Sequence, residues 1–183
     1  MIEIPDIPAG ASVYEAALLY AAAGCYVGPL RPGRKDPASS LGKGWPSKTS
    51  RDPEQLREWF DGTDANIFIH CGRSGLVVID VDTPELTPDI LRDNLGDGPR
   101  QQTQPDQPER LHWVFTVPEG RRLGNGLGSI PPGWGDVRGR NGLIVVTPSI
   151  HPAGGEYRWV ATGPAPELPE PIAAALTTSS ART

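Results

Sequence analysis

Cysteine is scarce in this chain. Cys25 and Cys71 are the only two, they lie far apart, and neither belongs to a CxxC pair. That spacing excludes a disulfide scaffold and offers no cysteine-based structural zinc site. Both flank apolar runs, so buried free thiols are expected. No apolar run reaches the length of a membrane span, and the N-terminus lacks the basic-then-apolar order of a signal peptide. A cytoplasmic protein with no membrane partner is the expectation. Excess positive charge is also lacking, with a formal net charge of −5. A nucleic-acid partner therefore requires basic residues gathered on one surface, because phosphate binding needs local positive charge.

Glycine and proline are plentiful, 22 and 21 of 183 residues, and they separate short apolar runs. The length suits one domain or two small lobes sharing a core. The pattern predicts an α/β (α+β) class with long Gly/Pro connections. Apolar residues recur at helical spacing over residues 13–23, with Ser12 as a cap and Gly24 as a stop. Asp52-Pro53-Glu54 opens a second helix running to Phe60: a capping residue, proline at the first turn, acid at the positive end of the dipole. Residues 85–95 are predicted helical. Strands are expected at residues 25–30, 66–70, 76–82, 111–117, 136–138, 143–147 and 157–160. Residues 96–109 read as a loop and 120–135 as a glycine-rich one. From Pro164 the sequence drifts into Pro, Ala, Thr and Ser. Residues 164–183 accordingly read as a linker or tail toward a C-terminal region, leaving 1–163 as the functional unit.

Charge is unevenly spread. Residues 31–51 hold Arg31, Arg34, Lys35, Lys43, Lys48 and Arg51 against Asp36 alone. Arg121, Arg122, Arg138 and Arg140 form a second basic group. Either a basic groove or a solvated basic loop fits. Trp45 and Trp134 sit in Gly/Pro loops, where they serve as stacking platforms for bases or as anchors over the core.

The sharpest chemical feature is Asp80-Val81-Asp82, which closes the apolar run LVVIDVD. Side chains alternate along a strand, so the two carboxylates share a face. Adjacent carboxylates raise each other's pKa unless a cation intervenes, and a hard divalent ion bound through oxygen resolves that repulsion. Two solvated aspartates beside the turn at Thr83-Pro84 is the alternative. Asp136-Val137-Arg138 repeats the alternation and offers a third carboxylate with an arginine beside it. A third carboxylate suits a two-metal site for in-line phosphoryl transfer, and arginine suits a triphosphate. His112 stands between Leu111 and Trp113 and so points to the polar side of its strand. Ser149 and His151 are held between Pro148 and Pro152, a rigid placement of a hydroxyl and an imidazole. A serine hydrolase is the rival for that pair, but no GxSxG elbow is present.

In order, VVIDVD, then LHWVF, then GDVRGRNGLIVVTPSIHPAGGEYRW resembles the bifunctional primase/polymerase N-terminal (prim-pol) domain, a branch of the archaeo-eukaryotic primase superfamily. GRKDPASSLGKGWPSKTSRDPEQLREWF is similar to that family's opening. The resemblance implies an RNA-recognition-like catalytic sheet packed with a smaller N-terminal α/β lobe. It implies that Asp80, Asp82 and Asp136 bind metal, a pair of Mg²⁺ or Mn²⁺ ions. It further implies that His112 contacts the incoming nucleotide, and that Arg138, Ser149, His151 and Lys35 line the nucleotide pocket. Single-stranded DNA template, primer and nucleoside triphosphates are the implied partners, with a helicase region or a separate helicase beside them. Where the family often has Ser-Gly-Gly before the second motif's histidine, this chain has Gln107-Pro108-Glu109-Arg110, so the loop over the phosphates differs. The same carboxylates also suit a metal-dependent nuclease, and the domain alternatively serves as a non-catalytic single-stranded-DNA-binding module.

Overall fold

In chain order, the residues described by the computed structural model, 1–177, form β1 (Glu3–Ile4), α1 (Val13–Ala22), β2 (Val27–Leu30), α2 (Ala38–Leu41), α3 (Trp45–Lys48) and α4 (Pro53–Phe60). Then follow β3 (Asn66–His70), β4 (Leu76–Val81), α5 (Asp89–Arg92), β5 (Arg100–Gln102) and β6 (Leu111–Thr116). The chain continues with β7 (Gly135–Arg138), β8 (Leu143–Val145), β9 (Arg158–Ala161), β10 (Gly163–Pro164) and α6 (Glu170–Thr177). The strands make three sheets, ordered β1-β10, β2-β3-β8 and β7-β4-β6-β5-β9. Every pairing among them is antiparallel, so the class is mixed α+β as expected.

Local chemistry accounts for the two longest N-terminal helices. The Ser12 hydroxyl accepts from Glu15 N–H at 3.0 Å while the Glu15 carboxylate accepts from Ser12 N–H at 3.1 Å, a reciprocal cap. Asp52 accepts from Glu54 N–H at 3.3 Å, and Pro53 occupies the first turn, where its missing N–H costs nothing. Leu56 and Phe60 then point from α4 into the core.

The β4 strand organises the interior. All six of its residues are buried, and they alternate between two cores. Val77, Ile79 and Val81 pack with Leu91, Trp134, Leu168 and Ile172 on one face. Leu76 and Val78 pack on the other with Tyr20, Ile69, Ile144 and Val146. Each such side chain contributes about 1.5–3 kcal/mol relative to exposure. Asp80 continues the Leu76–Val78 series, so it emerges where that core, shared between the two larger sheets, gives way to a cleft.

Several expectations are corrected by packing. The basic stretch before Ser50 carries two single helical turns, α2 and α3, because Leu41 and Trp45 dock on Leu30, Phe68 and Tyr157. The helix expected over residues 85–95 is broken into a 3-10 turn at Pro84–Leu86 and the short α5. Pro88 forces this: it has no N–H to donate, and it drives Thr87 to an extended ψ of 120°. Residues 100–102, read as loop, form β5. The segment from Pro164, read as a linker, is structured as far as Thr177. There β10 pairs with β1, and α6 buries Ile172 and Ala173. The remaining residues of the expected tail, 178–183, lie outside those described. Trp134 is a fully buried anchor whose indole N–H donates to Pro131 O at 2.7 Å, so it is no platform for bases.

Both cysteines are buried and free, and burial pushes each thiol up to about 12. Among the described residues no helix is long and apolar enough to cross a membrane.

Candidate metal centre

The register of the five-stranded sheet assembles the site. Asp80 on β4 faces His112 on β6 on one side and Asp136 on β7 on the other. Directly paired residues share a face, so carboxylate, carboxylate and imidazole form a row across three strands. Asp82 follows where β4 ends. Carboxylate oxygens of Asp80, Asp82 and Asp136 lie within 4.8 Å of one another. Such an oxygen-only donor set is what a hard divalent cation takes. Asp80 is nearly closed off, with a side chain 9% exposed, whereas Asp136 at 57% and Asp82 at 45% face solvent.

Side-chain nitrogens surround the carboxylates without closing on them. The His112 Nε2 lies 3.4 Å from Asp80 Oδ1. One Arg138 nitrogen lies 3.5 Å from Asp80 Oδ2 and 3.5 Å from Asp136 Oδ2. Arg110 stands 3.6 Å from Asp82 Oδ1. All are longer than strong charge-assisted hydrogen bonds. The electrostatic outcomes differ between neighbours. Burial raises the Asp80 carboxyl, but the His112 ring and the Arg138 guanidinium outweigh it and leave it below its ordinary value. Burial and then the Asp80 charge raise the Asp82 carboxyl, and Arg110 offsets only part of this. A raised carboxyl beside two others marks crowded negative charge, which a bound cation relieves.

Next to the carboxylates is a cavity of about 320 Å³ whose polar wall includes Lys35, Arg110, His112, Arg138 and His151. The β8 residues Leu143, Ile144 and Val145 form its apolar wall. Lys35 reaches in from the basic segment, its Nζ 3.3 Å from His151 Nε2. The His151 Nδ1 accepts from Ala153 N–H at 3.0 Å, so the ring proton of the neutral form belongs on Nε2. Partial burial, then Lys35 and Arg110, favour that neutral form. An ammonium and an imidazole N–H thus converge on one place, which suits an anion.

Seven of the eight residues singled out from the sequence meet here: Asp80, Asp82, Asp136, His112, Arg138, His151 and Lys35. Ser149 does not. It is fully buried, its hydroxyl accepting from Ile67 N–H at 2.9 Å and donating to Ile67 O at 3.1 Å. It ties the chain to β3 and is turned away from the cavity. Arg110 was missed, although it stands two residues before His112 and the same alternation brings it to the same side. Gln107 and Gln104 hold its guanidinium through their side-chain oxygens at 2.8 and 3.3 Å. The departure at residues 107–110 is therefore a built support for a cation.

A family model described as bifunctional DNA primase/polymerase, N-terminal, matches residues 17–171. The chain belongs to the Prim-Pol family. That match supports a DNA primase/polymerase-type function, and the carboxylate cluster is compatible with metal binding. No curated protein matches the chain. In this Prim-Pol domain the matched region spans all four strands that carry the row and the cavity wall: β4, β6, β7 and β8. It ends inside α6, the helix that packs on the face of β4 opposite Asp80.

Proposed function

We propose that this Prim-Pol domain is a template-directed nucleotidyltransferase that joins nucleoside triphosphates into DNA, priming chains, extending them, or both. The observation that carries the reading is the row Asp136–Asp80–His112, with Asp82 beside it, opening onto a cavity walled by cations. Carboxylates and cations at one cleft match the two needs of a triphosphate bound with divalent ions. Asp80, Asp82 and Asp136 would hold a pair of Mg²⁺ or Mn²⁺ ions through oxygen. When bound, such ions lower the pKa of an attacking hydroxyl and neutralise charge on the phosphates.

The chain's own residues do the rest. Lys35, Arg110 and His151 receive phosphate oxygens along the polar wall. Arg138 bridges between carboxylates and cavity and orients the oxygens nearest the row. His112 presents its imidazole to a phosphate from a position held by its strand pairing. The apolar β8 wall excludes water from one side, which strengthens each of these contacts. Single-stranded template and primer approach along the basic segment 31–51, from which Lys35 already enters the site. A helicase, joined after this region or separate, is the expected companion in replication.

The test is incorporation of labelled nucleotides on single-stranded DNA, with and without an annealed primer, in Mg²⁺ and in Mn²⁺. Template-dependent products are expected, reduced at least about 100-fold in Asp80→Ala and Asp82→Ala. Products without primer would establish priming. Degradation of the DNA without triphosphate would instead make the site a nuclease. Binding of DNA with no nucleotide affinity would leave a non-catalytic module.

A further inference from the structure

Gln101 lies on β5, paired in register with His112 on β6, and is fully buried. It extends the polar row by one strand, yet no metal or phosphate can reach it. Its amide orientation is decided by groups that leave no choice. The Val145 carbonyl can only accept, and it takes an N–H from Gln101 Nε2 at 2.9 Å. The Thr147 N–H can only donate, and it gives to Gln101 Oε1 at 2.8 Å, with the Thr147 hydroxyl adding a second bond at 3.0 Å. Flipping the amide would break both backbone bonds inside a core, where an unsatisfied group costs most.

With the amide so fixed, its second N–H faces His112 Nδ1 at 3.3 Å. A donor there requires Nδ1 to be the acceptor, so the ring proton sits on Nε2. Nε2 is the atom at Asp80, 3.4 Å from Oδ1, and His112 borders the cavity. We infer that Gln101 is a positioning residue that fixes the tautomer and ring plane of His112, so that the imidazole always offers an N–H donor to the site. The long contact to Asp80 leaves that donor able to serve a substrate oxygen. The same amide ties β5 to the chain around β8, so the donor is held relative to the apolar wall as well as to the carboxylates.

The tautomer stands on protein geometry alone; that its N–H serves a triphosphate rests on the function proposed above. Two measurements keep them apart. The first is the ring ¹⁵N spectrum of His112 in the intact domain, assigned by comparison with His112→Ala. In the neutral ring the proton is expected on Nε2, and a neutral ring that carries it on Nδ1 overturns the inference. In Gln101→Met, close in volume but without a donor, a mixture of tautomers is expected. An unchanged His112 spectrum in a folded Gln101→Met also overturns it. Should that variant fail to fold, the wild-type spectrum decides alone. The second measurement is nucleotide incorporation by Gln101→Met. KM for the triphosphate is expected to rise about tenfold with kcat changed less than about threefold, the loss of one hydrogen bond to a charged group. An unchanged KM beside an altered tautomer refutes the substrate contact. A wild-type domain that incorporates nothing removes the proposed function and leaves the spectrum to judge Gln101.

Discussion

Asp80 and Asp82 stand two residues apart, yet their carboxyls are displaced in opposite directions. The sign matters for stability. Asp80, held below its ordinary value, stabilises the fold above the usual aspartate range, and that contribution is lost as pH falls through the depressed value. Asp82, raised, does the reverse: its contribution is full below the ordinary value and is lost as pH rises through the raised one. Near neutral pH the ionised Asp82 therefore weakens the fold, and Asp82→Asn should melt higher than wild type in chelator. The difference should vanish on acidification below the ordinary aspartate value. Added Mn²⁺ should invert the order, since a ligand at a hundredfold excess over its Kd stabilises by about 2.7 kcal/mol and the variant lacks one oxygen donor. Thermal melts with chelator and with Mn²⁺ check both signs. A wild type that melts higher in chelator would mean that Asp82 is satisfied by protein partners. These aspartates, and His112, were legible because the two-residue period of a strand holds whatever the strand packs against. Ser149 misled for a different reason: its place between two prolines suggested a rigidly presented hydroxyl, but the long-range claim of Ile67 on that hydroxyl is invisible along the chain.

At the scale of elements, β4, β6 and α4 could be read because their apolar spacing is strong and their caps are local. β5 could not: Arg100-Gln101-Gln102 carries no apolar residue, and its place in the sheet comes from the strands on both sides of it. The α6 helix hides in Pro- and Ala-rich composition, although Ile172 and Ala173 are buried and Ala175 and Leu176 pack beside them. Ile172→Ala should cost about 2–4 kcal/mol, read as a lower denaturation midpoint at unchanged slope. A true linker would show no change. The approach of β7 to β4 depends on Gly135. A Cβ there would stand 1.8 Å from the Asp80 carbonyl oxygen, a backbone atom that cannot turn aside. Gly135→Ala should therefore cost about 2–3 kcal/mol and part the strand bearing Asp136 from the strand bearing Asp80. Denaturant melts measure the first effect, and weakened Mn²⁺ binding by the folded fraction measures the second.

For the molecule as a whole, the net charge of −5 sets the electrostatic problem. A polyanion is repelled by most of this surface, so its approach must be confined to where cations gather. Two such places adjoin: the cavity, with Lys35, Arg110 and Arg138, and the segment 31–51, which supplies Lys35 to it. Arg31 and Lys43 are exposed on that segment and lie outside the cavity lining. If they contact template phosphates, each contributes counterion release to DNA binding and nothing to triphosphate binding. The variant carrying Arg31→Glu and Lys43→Glu should bind single-stranded DNA more weakly. Its plot of log affinity against log salt should be shallower by about 1.4, since each lost contact removes about 0.7. KM for the triphosphate at saturating template should stay within about twofold, because neither side chain lines the cavity. Equal slopes for variant and wild type would move the template to another face. A raised KM alone would make the segment part of the nucleotide site. The division matters because the two ligands carry the same charge, and an acidic body can steer them to adjacent places only by giving each its own cations.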